Sequence, residues 1–471
     1  MMTKSEILAI IMLLALSISL AQWDMVDMGT GGGWMRGLVV GPVKPDSRVS
    51  VFAANMDGNL YEFLWEDSVW SMTNIATFYY SVERMCIGNV KGERYNQLYV
   101  ACGDTHIYEF MWNPDELCWD QNRIETPHRW NADVVIGNGR NDGIERLYLG
   151  TEDYVYEYTW DDTGWVIEYV GSTDTTYGEW IENLELGTGK NDDTIRIYVS
   201  CQNDPDRYGV WEFTWNGTEW VREPVANMEG HHEIYALAVG EGRNDGITRI
   251  YAGGNQQKLF EYTWNGTEWD SILVHEGESK WSIAIGNGRN DYPPHYRVYQ
   301  ACHDGYVYEH TWEGDSWNTV AIGVGIGWGL DNNMWGLDIG NGRNDGIIRV
   351  YAGNYDRHVY EFSFSASIFE TAPKPDCFHI SAYPNPFNSS CEITVQEDAE
   401  VEIYDLRGNV VTPIPTSRTD ADHSAEVSGG SASSRGIFIW TPNETIPSGI
   451  YLIKAKTQSG QIFTKRIILI K

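Results

Sequence analysis

Between residues 41 and 365 the chain alternates short apolar runs with turns rich in glycine, asparagine and aspartate. Each unit holds an alternating apolar run, a turn, a second run, another turn and a third run that ends in an aromatic residue. The clearest copy, GNGRNDGIIRVYAGNYDRHVYEFSF, begins at Gly340, and the other copies begin at Gly41, Gly88, Gly137, Gly187, Gly240 and Gly286. Alternation with period two over runs of this length predicts β-strands.

A fourth strand is expected in each unit, because a tryptophan recurs after the next tight turn, at Trp70, Trp119, Trp165, Trp220, Trp269 and Trp317. Four-stranded units that recur every 46 to 54 residues must stack on their neighbours, and they close radially into a propeller. The copies predict seven blades within residues 22–368. The last copy has no tryptophan after it, so residues 23–28, which begin with Trp23, are expected to close blade 7.

The two ends of the chain differ in composition from the repeats between them. Residues 1–21 have a lysine, an apolar core and small residues near the end, which is the pattern of a signal peptide. No other apolar stretch approaches the roughly 20 residues of a membrane span. A proline-bearing linker at 369–376 then leads into residues 377–471, with the segments YPNPFNSSCEITV, VEIYDLRGNVV and SGIYLIKAKTQSGQIFTKRIILIK.

These last segments resemble the type A C-terminal sorting domain of the type IX secretion system, a small immunoglobulin-like β-sandwich. The resemblance implies contact with the secretion machinery through residues 377–471. It also implies a secreted protein or one at the outer-membrane surface. The fold class expected for the whole chain is therefore all-β, a seven-bladed β-propeller followed by a small immunoglobulin-like β-sandwich.

The net charge and the cysteines lead to two further predictions, one about partners and one about disulfides. The chain has a formal net charge of −34, which repels phosphate backbones and disfavours nucleic acid as a partner. Cys102, Cys201 and Cys302 share one blade position and are expected to be small buried residues. Cys377 and Cys391 are the candidate disulfide pair.

The turn GNGRNDGI resembles the loop of FG-GAP and VCBS propeller repeats, in which Asp and Asn side chains ligate calcium. In this chain the third residue after the leading glycine is always a cation, namely Lys44, Lys91, Arg140, Lys190, Arg243, Arg289 or Arg343. The fifth is always an acid, such as Asp345. A cation where calcium needs an oxygen suggests that each loop neutralises its own carboxylate. No cofactor is expected, and calcium is the remaining, disfavoured candidate.

Function is expected where the blades differ, on the loops that enter the first strand of each blade. Aromatic side chains with interleaved polar groups on these loops predict a carbohydrate-binding mouth, because aromatic faces stack on sugar rings. The alternative is that the aromatic residues only plug the central channel. The candidate binding residues are Trp34, Arg36, Glu83, Arg84, Trp130, Asp133, Trp180, Glu182, His231, His232, Tyr235, Trp281 and Trp335.

The sequence thus predicts an exported ligand-binding module, with a glycan or a surface protein as its partner. A polysaccharide-active enzyme, either a glycosidase or a lyase, and a protein-binding adhesin or scaffold stay open as alternatives. An enzyme is the less favoured of these readings, because no catalytic pair, nucleophile motif or metal-ligand spacing can be selected from the sequence.

Overall fold

The computed structural model describes residues 22–128, 130–173, 180–202, 209–225, 233–327, 332–365, 380–383, 388–396, 399–405, 410–411, 416–418, 435–443, 446–457 and 462–470. The chain divides into two compact units, Met1–Ser367 and Ile368–Lys471. His231, His232 and Cys377 lie outside the described residues, as do the expected signal peptide and linker.

In its described residues the first unit forms seven four-stranded antiparallel sheets, which confirms the predicted propeller. Blade 1 contains β2 (Met35–Pro42), β3 (Val49–Asn55), β4 (Asn59–Glu66) and β5 (Val69–Thr77). Blade 2 contains β6 (Val82–Gly88), β7 (Gln97–Cys102), β8 (His106–Asn113) and β9 (Cys118–Glu125). Blade 3 contains β10 (Asp133–Gly137), β11 (Arg146–Gly150), β12 (Tyr154–Trp160) and β13 (Trp165–Ser172). Blade 4 contains β14 (Trp180–Gly187), β15 (Arg196–Gln202), β16 (Val210–Trp215) and β17 (Trp220–Pro224).

The remaining blades repeat this order. Blade 5 contains β18 (Ile234–Gly240), β19 (Arg249–Gly254), β20 (Lys258–Trp264) and β21 (Trp269–Glu276). Blade 6 contains β22 (Lys280–Gly286), β23 (Arg297–Cys302), β24 (Tyr306–Trp312) and β25 (Trp317–Val324). Blade 7 contains β26 (Met334–Gly340), β27 (Arg349–Asn354), β28 (His358–Ser365) and, as its outer strand, the N-terminal β1 (Gln22–Thr30). The first strands contact one another cyclically, so blade 7 packs against blade 1 and the ring is closed.

Packing between blades explains the repeated residues of the sequence. The fourth-strand tryptophan of each blade lies edge-on to a second-strand aromatic ring of the preceding blade, as Trp317 does to Tyr251 at 6.0 Å between ring centroids. Trp23 follows the same rule, with 6.0 Å to Tyr299 of blade 6. The leading glycine of each copy leaves room for the next blade. A Cβ added to Gly187 would lie 2.5 Å from a methyl group of Val239.

The loop cations do not neutralise the acids of their own loops, so that expectation is wrong. Each cation instead pairs with the third-strand glutamate of its blade, as Arg343 does with Glu361 at 2.6 Å. The same cation lies over an aromatic ring of the next blade, and the guanidinium carbon of Arg343 is 3.8 Å from the Trp65 ring centroid. The long side chain of the cation extends past the short turn to the buried glutamate and the aromatic ring. There the ion pair and the cation–π contact are both stronger than an exposed pair within the loop would be.

Five of the seven loop acids pair with second-strand arginines instead. Asp345 accepts from Arg349 at 2.7 Å, and equivalent pairs occur at Asp142, Asp192, Asp245 and Asp291. The neighbouring loop asparagine joins adjacent blades, since Asn344 bonds both backbone groups of Val49 in blade 1. Within the described residues no group of three or more His, Cys, Asp or Glu side chains is arranged to hold a metal ion.

The cysteines Cys102, Cys201 and Cys302 are buried in the propeller, as the sequence predicts. Cys391 is buried in the second unit, and its predicted partner lies outside the described residues, so that disulfide stays a prediction.

The second unit contains two sheets. One consists of β29 (Ile380–Tyr383), β30 (Cys391–Gln396), β32 (Thr416–Arg418) and β33 (Arg435–Trp440). The other consists of β31 (Ala399–Tyr404), β34 (Gly449–Thr457) and β35 (Ile462–Leu469). Both sheets contribute to a single core, which includes Ile393 and Trp440 from the first and Ile403, Ile453 and Ile467 from the second.

Candidate functional site

In six blades the pairing between the first and second strands is irregular near the start of the first strand. There the first strand contains a residue that has no partner on the second strand, always at the same end of the blade. The extra residues are Arg36, Glu83, Glu182, Tyr235, Trp281 and Trp335, the last together with Gly336. A bulge of this kind turns a side chain out of the regular alternation and is common next to functional sites. We call this end of the propeller the mouth. All six residues belong to the set predicted from sequence, and they hold equivalent positions around the ring.

Blade 3 differs from the other six blades at this position. Asp133 pairs with Gly150, just as Arg84 of blade 2 pairs with Ala101, so the residue equivalent to Glu83 is Ala132. A methyl group therefore stands where the other blades carry a long or aromatic side chain. Among the described residues, the mouth is therefore open at this point.

The other side of the mouth is filled by stacked rings. The Tyr235 and Trp281 rings are stacked with centroids 4.7 Å apart, and Trp281 and Trp335 are stacked at 3.9 Å. Tyr355 stacks between Trp335 and Trp34, at 5.0 and 4.3 Å. The guanidinium carbon of Arg36 lies 4.0 Å above the Trp335 ring. For Tyr235, Trp281 and Trp335, the ring faces are therefore used within the protein.

Beside Ala132 lies a cavity of about 270 Å³, which we call the mouth cavity. Seven of the predicted residues line it: Arg36, Glu83, Arg84, Trp130, Trp180, Glu182 and Trp335. The sequence reasoning missed Met56, Ser81, Asn131, Ala132, Glu152, Ile181 and Gln202, which also line it. Alignment of the repeat copies would have indicated Ala132. It is the only small residue at the position that Glu83 and its equivalents occupy in the other blades.

The exposed aromatic surface of the mouth cavity comes from two neighbouring tryptophans. Trp130 and Trp180 are 43% and 41% exposed, and their ring centroids are 6.1 Å apart. Trp130 has a φ of +56°, which is unfavourable for a bulky residue and marks a position that its surroundings hold in place. The holder is Asn131, whose side-chain amide donates to the carbonyls of Cys102, Asp104 and His106.

The polar groups of the mouth cavity are arranged in pairs. Glu83 pairs with Arg36 at 2.5 Å and accepts from the Ser81 hydroxyl at 2.6 Å. Glu182 accepts a short hydrogen bond from the Gln202 side chain. Burial raises the pKa of the Glu182 carboxyl to about 7, and the positive charges of Arg36 and Arg84 offset only part of that effect.

The remaining predicted residues are placed elsewhere. Asp133 is buried among first-strand residues that line the central channel, a cavity of about 330 Å³. It accepts from the side chain of Asn183 and the backbone N–H of Leu184, so it joins blade 3 to blade 4. Trp34 is partly exposed against Tyr355, and Tyr235 donates its hydroxyl to Glu233 at 2.7 Å.

The buried Glu182 carboxyl predicts a pH effect on stability. Its pKa of about 7 in the folded state lies above the unfolded value of about 4.3, so the folded chain holds a proton that the unfolded chain has lost. Stability should therefore fall as the pH rises from about 4.3 to about 7. We expect Glu182→Gln to reduce the loss of melting temperature between pH 5 and pH 8. Glu268→Gln, in an exposed turn, is the control, and equal losses in both variants would contradict the prediction.

Comparison with known proteins identifies the C-terminal unit. Residues 381–471 match the family described as the secretion system C-terminal sorting domain. Among solved structures the chain is similar to Sqt1 of Saccharomyces cerevisiae, with 11% identity, a TM-score of 0.46, and coverage of 72% of this chain and 98% of that chain. No curated protein matches the chain.

The family match confirms the resemblance seen in residues 377–471. The chain is therefore exported through a type IX C-terminal sorting domain, and it is secreted or located at the outer-membrane surface. The same domain implies contact with the secretion machinery. Within the part of the chain that the structure describes, no helix has the length and apolar character of a membrane span.

Proposed function

We propose that the exported propeller is a carbohydrate-binding module and that the mouth cavity is its binding site. The observation that supports this most is the pair Trp130 and Trp180, two exposed rings beside a cavity of about 270 Å³. Aromatic rings bind the apolar faces of sugars, while carboxylate, amide and guanidinium groups bind hydroxyls. Glu83, Glu182 and Gln202 supply such groups in the same cavity.

Their exposure also makes these two rings better candidates for ligand contact than the other aromatic residues of the mouth. A ligand that covers an already exposed ring gains apolar contact without displacing a protein neighbour. Trp281 and Trp335 would first have to leave a stack with centroids 3.9 Å apart. The stacked half of the mouth therefore serves as a fixed wall, and the open half at blades 3 and 4 serves as the binding surface.

Substitution of the two tryptophans tests the proposal. We expect Trp130→Ala and Trp180→Ala each to weaken binding to a polysaccharide panel by about tenfold or more, because burial of a large apolar side chain contributes ~1.5–3 kcal/mol. Affinity electrophoresis and calorimetry of the full chain measure this. Tyr292→Ala removes an aromatic residue that is 98% exposed in the β22–β23 loop and should bind like the wild type. A wild-type chain that binds no member of the panel would reject the proposal.

Two carboxyl groups in the mouth cavity support polysaccharide cleavage as a second candidate. Glu83 is paired with Arg36, whereas burial raises the pKa of Glu182 to about 7, so a substantial fraction of its carboxyl groups is protonated near neutral pH. One carboxylate and one carboxylic acid are the groups that glycosidases use. New reducing ends or unsaturated products in the same panel, lost in Glu182→Gln with binding retained, would establish an enzyme. Binding without products would leave the binding module.

A further inference from the structure

Arg84 lies between the mouth cavity and the central channel, and it lines both. It begins on β6 of blade 2, yet its guanidinium donates to the carbonyls of Trp281 in blade 6 and Tyr235 in blade 5, at 3.3 and 3.5 Å. In a ring of seven, blades 5 and 6 stand opposite blade 2. The side chain therefore crosses the propeller axis and forms the floor of the mouth cavity.

The charge of Arg84 has no counter-ion within the described residues, where no ion pair joins its guanidinium to a carboxylate. Arg36, the other cation of the mouth cavity, is paired with Glu83 at 2.5 Å and covered by the Trp335 ring at 4.0 Å. The loop arginines are paired too, as Arg243 is with Glu261. Of the described cations that line the mouth cavity, Arg84 is thus the one whose charge is not paired with a carboxylate.

The charge of Arg84 acts on Asp133, Glu182 and Glu185 from a distance, and none of these three described acids forms an ion pair with it. Burial raises the pKa of Glu182 to about 7, and the positive charges of Arg36 and Arg84 offset only part of that shift. Burial and the negative charge of Asp133 raise the pKa of Glu185 to about 8, against the positive charge of Arg84. Burial likewise raises the pKa of Asp133, which is engaged with Asn183 and Leu184. Glu182 and Glu185 therefore carry less than their full negative charge near neutral pH, when ordinary carboxyls are ionised. A partly buried cation without a contacting carboxylate is destabilising, and an anion brought by a ligand would offset that cost.

We propose that Arg84 makes the mouth cavity selective for a sugar residue that carries a carboxylate, that is, for the uronic-acid end of a glycan. This inference rests on the proposed carbohydrate function. A planar guanidinium binds the two oxygens of a carboxylate side by side, which favours carboxylate over a single hydroxyl. Arg84 closes the floor and the stacked rings close one side, so a chain end is the part of a glycan that reaches it.

Calorimetry of the full chain with two matched disaccharides tests the inference. The probes are cellobiose and cellobiouronic acid, which differ only in the oxidation of the terminal CH2OH group to a carboxylate. We expect the wild type to prefer the acid by about tenfold or more, and Arg84→Gln to bind both equally. Arg84→Lys, which keeps the charge without the planar fork, should retain part of the preference. Arg123→Gln, on the exposed outer strand of the same blade, should retain all of it.

Each outcome has one meaning. Equal affinity of the wild type for both probes would overturn the inference and leave the carbohydrate function intact. A preference that survives in Arg84→Gln would overturn the assignment to Arg84. Tighter binding of a sulfated disaccharide than of the uronate would overturn the carboxylate class. No binding of any sugar would reject the proposed function and the inference with it. Circular dichroism shows whether Arg84→Gln folds. If it does not fold, the preference of the wild type between the two probes still tests the inference.

Discussion

Deletion of Gln22–Thr30 is expected to open blade 7 and destabilise the whole propeller. This strand pairs along the full length of β28, from Gln22 opposite Ser365 to Thr30 opposite His358. It brings Met28, which is 4% exposed, and Trp23, which packs against Phe364 and Tyr299. Each large apolar side chain that is lost costs ~1.5–3 kcal/mol, and the bare edge of β28 invites association with other chains.

Hydrogen exchange and thermal melting measure the effect. We expect the amides of β27 and β28 to lose protection first, while those of β11 and β12 on the far side of the ring keep theirs longer. The melting temperature should fall by ~10 °C or more. Met25→Ala, which truncates an exposed side chain of the same strand, is the matched control. A synthetic peptide of residues 22–30 should restore protection. Unchanged melting of the deletion variant would show that β1 does not hold the ring closed.

The propeller was predictable from the sequence because each repeated residue serves a repeated contact. A tryptophan equivalent to Trp317 occurs in every blade, because each blade packs this ring against an aromatic ring of the preceding blade, as Trp317 does against Tyr251. Gly187 recurs because the next blade occupies the space of its missing side chain. Seven copies of such constraints produce a visible period, and the period determines the number of four-stranded sheets.

The loop chemistry was not predictable, because its partners are far apart in the chain. Arg343 and Asp345 are two residues apart, which suggested a local pair. In the folded chain Arg343 reaches Glu361 and the Trp65 ring of blade 1, and Asp345 pairs with Arg349. The long side chain of Arg343 extends to the third strand and to the next blade, whereas the short side chain of Asp345 stays near the loop. The spacing of residues in a sequence does not show which blade a side chain will contact.

The candidate site was predictable in position but only partly in composition. Equivalent strand starts had to meet at one end of the ring, so Arg36, Glu83 and Glu182 were found together. The sequence could not show that Tyr235, Trp281 and Trp335 cover one another, because stacking depends on ring orientation. Nor could it show that Arg84 crosses the axis to residues 151 and 197 positions away. His231 and His232 remain predictions outside the described residues.

The third-strand glutamates are expected to contribute as much to stability as any single residue of the propeller. Glu309 is 1% exposed, accepts from the Tyr299 hydroxyl at 2.9 Å and bonds the Arg289 side chain at 2.9 and 3.0 Å. Arg289 in turn lies over the Phe364 ring of blade 7, at 4.4 Å from its centroid. One carboxylate therefore holds the cation that joins blades 6 and 7.

Glu309→Ala should lower the free energy of unfolding by ~3 kcal/mol, because it leaves the partly buried Arg289 charge and the buried Tyr299 hydroxyl without their partner. Glu309→Gln should lower it by less, since the amide oxygen still accepts a hydrogen bond. Glu313→Ala, an exposed glutamate of the same blade, is the control. Chemical denaturation of the three variants gives the comparison, and Glu261→Ala in blade 5 should repeat the loss because Glu261 binds Arg243 and Tyr251 in the same way. Equal denaturation curves for Glu309→Ala and Glu313→Ala would contradict the prediction, because they would show that the buried carboxylate does not hold the two blades together.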